Sequence, residues 1–274
     1  MRAVVVLGGG GAKAIAHAGA WKAINESGAK IVEVVGTSMG AVMGAALAHG
    51  TSPDQLLETA RALGPKDVAT LDRLSLLKGV FAANILKPEA LRRTIARLVP
   101  ATTFDALRLP LTVTATDLDS GELVLFGARA RATAPLRDVL YASCALPLYF
   151  PPAVIDGRRL ADGGLRAVLP LAVAATIPAD VVVAVDVGSG FDEQPPPPST
   201  ASHRLPPPLL RAHDSAIRIL MAAQTERAIE GWPSSAPRLT VVRPVAELGA
   251  TFAVGQSDRY FAAGYEATKR ALRS

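Results

Sequence analysis

An α/β fold built on a parallel sheet is what this 274-residue sequence predicts, and three observations carry that expectation. Short β-branched runs alternate with stretches of helical period through the first fifty residues. Glycine-rich turns join each run to the stretch after it. Half of the residues are apolar and only 19% are charged, which fits a well-buried globular chain and excludes a disordered or fibrous one.

In order along the chain, residues 4–7 form a buried strand core, followed by a glycine loop at 8–11 and a helical stretch over 12–27 that Gly28 stops. Residues 31–35 give a second buried strand. After the turn at 36–40, residues 41–49 are helical again and Gly50 ends them. A strand-turn-helix order repeated in this way requires a parallel sheet with crossover helices. Residues 53–98 read as mostly helical, with Pro53 and Pro88 at first-turn positions. Two strand-like runs, 111–116 and 122–126, flank Asp119-Ser120-Gly121 and predict a hairpin. Residues 181–187 predict a further apolar, and hence central, strand. From about 190 to 208 the composition shifts to Pro and Ser, which predicts a mobile excursion within a single domain spanning 1–274. A long helix over 209–230, a late strand over 239–242 and a closing helix over 258–272 complete the chain, and there is no internal repeat.

The bulk composition narrows the function. The formal net charge of +5 is spread without clustering, so it bears on solubility and points to no nucleic-acid partner. The densest basic patch, Arg92, Arg93 and Arg97, lies opposite the stripe Leu91, Ile95 and Leu98; an ordinary amphipathic helix explains it, with attachment to a membrane surface as the alternative. No apolar stretch long enough to span a membrane is free of charge and proline, the richest being 169–187. Glycines cut the N-terminal apolar run short of a signal-peptide core. The single cysteine, Cys144, cannot form an internal disulfide, which predicts a reducing compartment and hence the cytoplasm.

The stretch Gly36-Thr37-Ser38-Met39-Gly40 stands where a strand turns sharply into a helix. Glycines two before and two after the central residue remove clashes, and the Ser38 side chain is held above the strand end at a helix N-terminus. The alternative is a simple N-cap serine. A serine hydroxyl is a poor nucleophile, so an attacking Ser38 needs a base for its proton and donors for the oxyanion. Gly8-Gly9-Gly10-Gly11 offers the donors: it follows the first strand, opens a helix, and leaves backbone N–H groups free of side chains. The same run fits a dinucleotide fingerprint as Gly9-x-Gly11-x-x-Ala14, but that motif requires an acid ending the second strand, and Glu33 comes one step too early. A phosphate loop of the Walker type is excluded because Ala14 follows Lys13.

A Ser-Asp-His triad in the usual hydrolase order needs a late histidine, and His203 and His213 lie in or beside the proline-rich stretch. His17 and His49 read as packed or solvated helix residues. Asp162 in Leu160-Ala161-Asp162-Gly163-Gly164 is the stronger base, since two glycines free the backbone to bring one carboxylate into a crowded site; a surface turn is the alternative. Asp117, Asp119, Asp156 and Asp186 are the other carboxylates considered, with Asp186 placed to cap or line the site.

With these residues in view, the chain resembles the patatin-like phospholipases, particularly the short bacterial type. Residues 7–13, Leu-Gly-Gly-Gly-Gly-Ala-Lys, are similar to the family's glycine-rich oxyanion loop, 36–40 to its nucleophile elbow, and Asp162-Gly163-Gly164 to its Asp-Gly-Gly/Ala motif. The stretch 142–152, Ala-Ser-Cys-Ala-Leu-Pro-Leu-Tyr-Phe-Pro-Pro, and the layout from 1 to about 187 are also similar.

The resemblance implies a three-layer α/β/α fold with a mainly parallel central sheet, a Ser38/Asp162 dyad, and acyl-ester hydrolysis with no metal or organic cofactor. By motif position, the N–H groups of Gly9, Gly10 and Gly11 hold the oxyanion, while Gly36, Gly40, Gly163 and Gly164 are the motif glycines. Lys13 orients that loop or an acidic head group, with an exposed helix lysine as the alternative. The implied partner is a lipid or other acyl ester, met in peripheral contact with a membrane. Leu76, Leu77, Val80, Phe81, Leu146 and Tyr149 are candidates for an acyl channel, with core packing as the alternative. Two departures stand out: Ala14 replaces the glycine that commonly follows the basic residue, and the asparagine often found before the proline at 170 is missing. The rival functions are a catalytically silent binding protein of the same fold and a dinucleotide-dependent oxidoreductase.

Overall fold

A computed structural model describes residues 1–72, 84–130, 134–188, 190–191, 208–245 and 255–273. β1 (Arg2–Leu7) is buried from its second residue onward. Gly11, at φ 57°, then turns the chain into a 3-10 turn (Gly11–Ile15), so the regular helix α1 (Ala16–Glu26) starts later than the helical period of the sequence suggests. β2 (Lys30–Thr37) leads into α2 (Met39–His49), which Gly50 ends at φ 105°. α3 (Pro53–Arg61), α4 (Pro65–Val68) and α5 (Pro88–Leu98) each begin with proline, whose missing N–H costs nothing there. β3 (Leu111–Asp117) and β4 (Leu123–Gly127) form the expected hairpin.

α6 (Leu136–Cys144) precedes an unexpected second hairpin, β5 (Ala153–Ile155) and β6 (Arg158–Asp162). Its turn is Asp156-Gly157, at φ 51° and 76°, the left-handed pair that suits a tight two-residue hairpin. α7 (Gly164–Ala167), α8 (Leu171–Ala174), β7 (Val181–Val185), α9 (Pro208–Glu230), β8 (Arg238–Val242) and α10 (Ser257–Ala271) complete the described chain. The proline-rich excursion, His203, Leu76, Leu77, Val80 and Phe81 lie outside the described residues.

The described strands make one sheet in the order β5-β6-β3-β2-β1-β7-β8, with β4 also paired to β3. The run from β3 to β8 is parallel, and β4, β5 and β6 add antiparallel pairs. Side chains alternate between faces. Val5 and Leu7 enter one core with Trp21, Met43, Leu98 and Tyr260, whereas Val4 and Val6 enter another with Leu169, Leu171 and Ile177. Helices therefore cover both faces, giving the three-layer α/β/α arrangement. Each wholly buried Val or Leu contributes about 1.5–3 kcal/mol, which matches or exceeds the roughly 1–2 kcal/mol lost in ordering one residue's backbone. The parallel strands are thus the rigid base of whatever stands at their carboxyl ends.

α5 is amphipathic as expected, with Leu91, Ile95 and Leu98 buried. On its outer face Arg92 pairs with Asp138 at 2.6 Å and lies 4.0 Å over the Tyr141 ring, and Arg97 pairs with Asp67 at 3.3 Å. α10 crosses α1 closely, since a Cβ on Gly264 would fall 2.0 Å from the Ala16 carbonyl. Among the described residues no helix is long and apolar enough to cross a membrane.

Candidate active site

The turn from β2 to α2 forces Ser38 into φ 54°, ψ −134°, a conformation a non-glycine residue rarely holds and one that costs about 1–3 kcal/mol. Its neighbours make the bend feasible. A Cβ on Gly36 would meet the Ala41 backbone at 2.6 Å, and one on Gly40 would meet the Leu7 carbonyl at 2.3 Å. Ser38 sits at the N-terminus of α2, where the helix dipole favours negative charge.

Strand register brings the second group to it. β2 pairs with β3 through Thr37 and Thr114, and β3 pairs with β6 through Ala115 and Asp162. The last residue of β6 therefore arrives beside the elbow, and Ser38 Oγ donates to Asp162 Oδ2 at 2.7 Å. Gly164 N–H donates to the other carboxylate oxygen at 2.7 Å. Gly163 is required because a Cβ there would lie 2.4 Å from Thr114 Oγ1. Burial raises the Asp162 carboxyl, and although the hydrogen bonds from Ser38 and Gly164 pull it part of the way back, it stands at about 6.

The glycine loop after β1 borders the same place. Gly8 N–H donates to Val185 O at 3.0 Å and Gly9 N–H to Val168 O at 3.1 Å. The N–H of Gly9 is thus already engaged, which corrects the expectation that three loop donors are available. Those of Gly10 and Gly11 enter no such bond among the described residues. Gly9 serves instead by its bareness, since a Cβ on it would stand 3.2 Å from that of Ser38. Lys13 is only 5% exposed, so the exposed-lysine alternative fails; its ammonium donates to Gly188 O at 3.1 Å. Gly188 N–H in turn donates to Asp186, which Arg243 holds from the far side at 3.1 Å. Asp186 therefore buttresses the segment behind the loop and has no bond to Ser38.

The other candidates lie elsewhere. The described histidines bond away from Ser38: His17 to Gly8 O at 2.8 Å, His49 to Ala106 O at 3.0 Å, and His213 to Asp214 at 3.5 Å. Asp117 holds the β3–β4 turn and Asp119 pairs with Arg159. Asp156 lies in the β5–β6 turn. Glu33 is taken by Arg129 at 2.6 Å and by Thr112 at 3.1 Å, so the acid nearest to a ribose-binding position is committed to an ion pair.

Ser38 and Asp162 open onto a cavity of about 110 Å³ with an apolar lining that includes Met39, Met43, Leu91, Leu146 and Phe150. Leu146 was a candidate for such a lining. Tyr149, another candidate, is not part of that lining, and its hydroxyl donates to Asp214 at 2.5 Å. Cys144 also borders the cavity, where burial raises its thiol well above the ordinary range and leaves it an unreactive neighbour.

The sequence did not reveal the residues that hold the site from outside the motifs. Ser143 accepts the backbone N–H of Ser38 at 2.8 Å, and Ala145 O accepts that of Asp162 at 3.1 Å. Both lie in the stretch 142–152 already noted for its family likeness, which was the available signal.

Residues 5–175 match the family model described as Patatin-like phospholipase. An uncharacterized NTE family protein of Mycobacterium tuberculosis is 35% identical over 199 residues, covering 71% of this chain and 52% of the relative. Patatin-like phospholipase domain-containing protein 6 of Homo sapiens is 32% identical over 188 residues, 68% of this chain and 13% of the relative. The chain thus corresponds to about half the length, or less, of these curated relatives. VipD from Legionella pneumophila, a solved structure, shares the fold with a TM-score of 0.50 at 16% identity, over 99% of this chain and 66% of that one.

Proposed function

The chain belongs to the patatin-like phospholipase family, and from that premise we propose that it is a serine acyl-ester hydrolase in which Ser38 and Asp162 form the catalytic dyad. The observation that carries the reading is the 2.7 Å bond from Ser38 Oγ to Asp162 Oδ2 at the mouth of an apolar cavity.

Ser38 Oγ attacks the ester carbonyl carbon while its proton passes to Asp162. A carboxyl held near 6 is mostly ionised at neutral pH yet more basic than an ordinary aspartate, which suits it to take a proton and give it back. The carbonyl oxygen gains charge and is met by the N–H groups of Gly10 and Gly11, helped by the N-terminus of α2. Collapse of this intermediate expels the alcohol, which takes the proton from Asp162. Water then attacks the acyl-serine, Asp162 again accepting a proton, and Ser38 is restored as the acid leaves.

The lining by Met39, Met43, Leu91 and Phe150 suits an acyl chain, so the substrate is a lipid or related acyl ester. Lys13 is a loop-orienting residue in this reading, because its side chain is buried and its ammonium donates to Gly188 O. Hydrolysis of p-nitrophenyl esters of graded chain length tests the proposal. The purified protein is expected to turn them over, and Ser38→Ala or Asp162→Asn to stop it; equal turnover by Ser38→Ala sinks the reading.

A further inference from the structure

His17 is wholly buried on α1, and its ring meets the glycine loop from beneath, Nε2 lying 2.8 Å from Gly8 O. A carbonyl only accepts, so Nε2 carries the proton and Nδ1 is a bare acceptor. That Nδ1 is buried with no hydrogen-bond partner among the described residues. Burial also lowers the ring's pKa to about 4, so it stays neutral at physiological pH.

The Gly8 carbonyl and the Gly9 N–H belong to one peptide unit. His17 holds its oxygen end and the Val168 carbonyl holds its N–H end, at 2.8 and 3.1 Å from two different segments of the fold. The unit is clamped at both polar ends. Gly10 and Gly11 follow directly on this unit, so the clamped plane is the fixed point from which the chain sets out to place their N–H groups. Packing alone does not account for a histidine here. A leucine would spare the unpartnered nitrogen but leave the Gly8 carbonyl without this donor.

We propose that His17 is a positioning residue for the oxyanion loop: by holding the Gly8 carbonyl, its Nε2–H fixes the peptide plane from which the N–H groups of Gly10 and Gly11 face Ser38. The inference rests on the reading above that those groups receive the oxyanion.

Steady-state hydrolysis by His17→Leu and His17→Gln, together with the ¹⁵N spectrum of the His17 ring in the unmutated protein, tests it. His17→Leu is expected to lose about 100-fold in kcat with KM within about twofold, as misplacement by an ångström does at other sites. His17→Gln, which carries a donor where Nε2 stood, is expected to recover most of that loss, and the spectrum to show a neutral ring protonated on Nε2. Full activity in His17→Leu, a His17→Gln variant no better than His17→Leu, or a ring protonated on Nδ1 would each overturn the proposal. Absence of ester turnover in the unmutated protein would instead overturn the hydrolase reading, and the ring spectrum, taken without substrate, still tests the clamp.

Discussion

The hydroxyl oxygen of Ser143 accepts the backbone N–H of Ser38 at 2.8 Å, and the carbonyl of the same residue accepts that of Gly163 at 3.3 Å. One residue at the end of α6 thus ties the elbow to the acid loop, two segments 124 residues apart in sequence at Ser38 and Asp162.

Ser143→Ala leaves the partly buried Ser38 N–H without this acceptor, at a cost of up to about 1–3 kcal/mol. The strained backbone of Ser38 loses the bond that holds it. The expected outcome is a melting point lower by several degrees and slower reaction of Ser38 with a fluorophosphonate, read by thermal unfolding and by labelling rate.

Asp162 governs the pH dependence. Its folded pKa of about 6 lies above the ordinary 3.8, so turnover is expected to fall as pH drops through about 6 and the base becomes protonated. Stability runs the other way. The contribution of the protonated carboxyl is complete below about 3.8 and is lost as pH rises through about 6, so the ionised group costs roughly 3 kcal/mol at neutral pH. Asp162→Asn is therefore expected to be inactive and more stable at pH 7, with the gain vanishing toward pH 4; denaturant unfolding of both proteins across this range measures the difference.

Gly10→Ala tests the loop. A Cβ there would stand 2.3 Å from the Val187 carbonyl, so the loop must shift away from the segment that follows β7. Loss of one well-aimed donor lowers kcat by about 10²–10³ at comparable sites. A fall of that order with KM little changed is expected in steady-state assays.

The sequence revealed the parts of this site that are set by local chemistry. A serine between Gly36 and Gly40 after an apolar run leaves few alternatives to a sharp strand-helix bend, and two glycines after Asp162 mark a carboxylate brought into a crowded place. The unbroken apolar run of β1 likewise announced a buried strand. What stayed hidden depends on partners far along the chain. That Gly9 N–H is spent on Val168, that Lys13 is buried against Gly188, and that His17 reaches the Gly8 carbonyl follow from the packing of segments that share no pattern. The β5–β6 hairpin escaped notice because its strands are only 3 and 5 residues long, although Asp156-Gly157 carried a turn signal.

The most direct measurement is peptide mapping by mass spectrometry after reaction with a fluorophosphonate, with the unmutated protein and Ser38→Ala in parallel. A single adduct on the peptide that contains Ser38, absent from Ser38→Ala together with all ester turnover, is the predicted result. An adduct on another residue, or a Ser38→Ala protein that still labels and turns over ester at the unmutated rate, would contradict it.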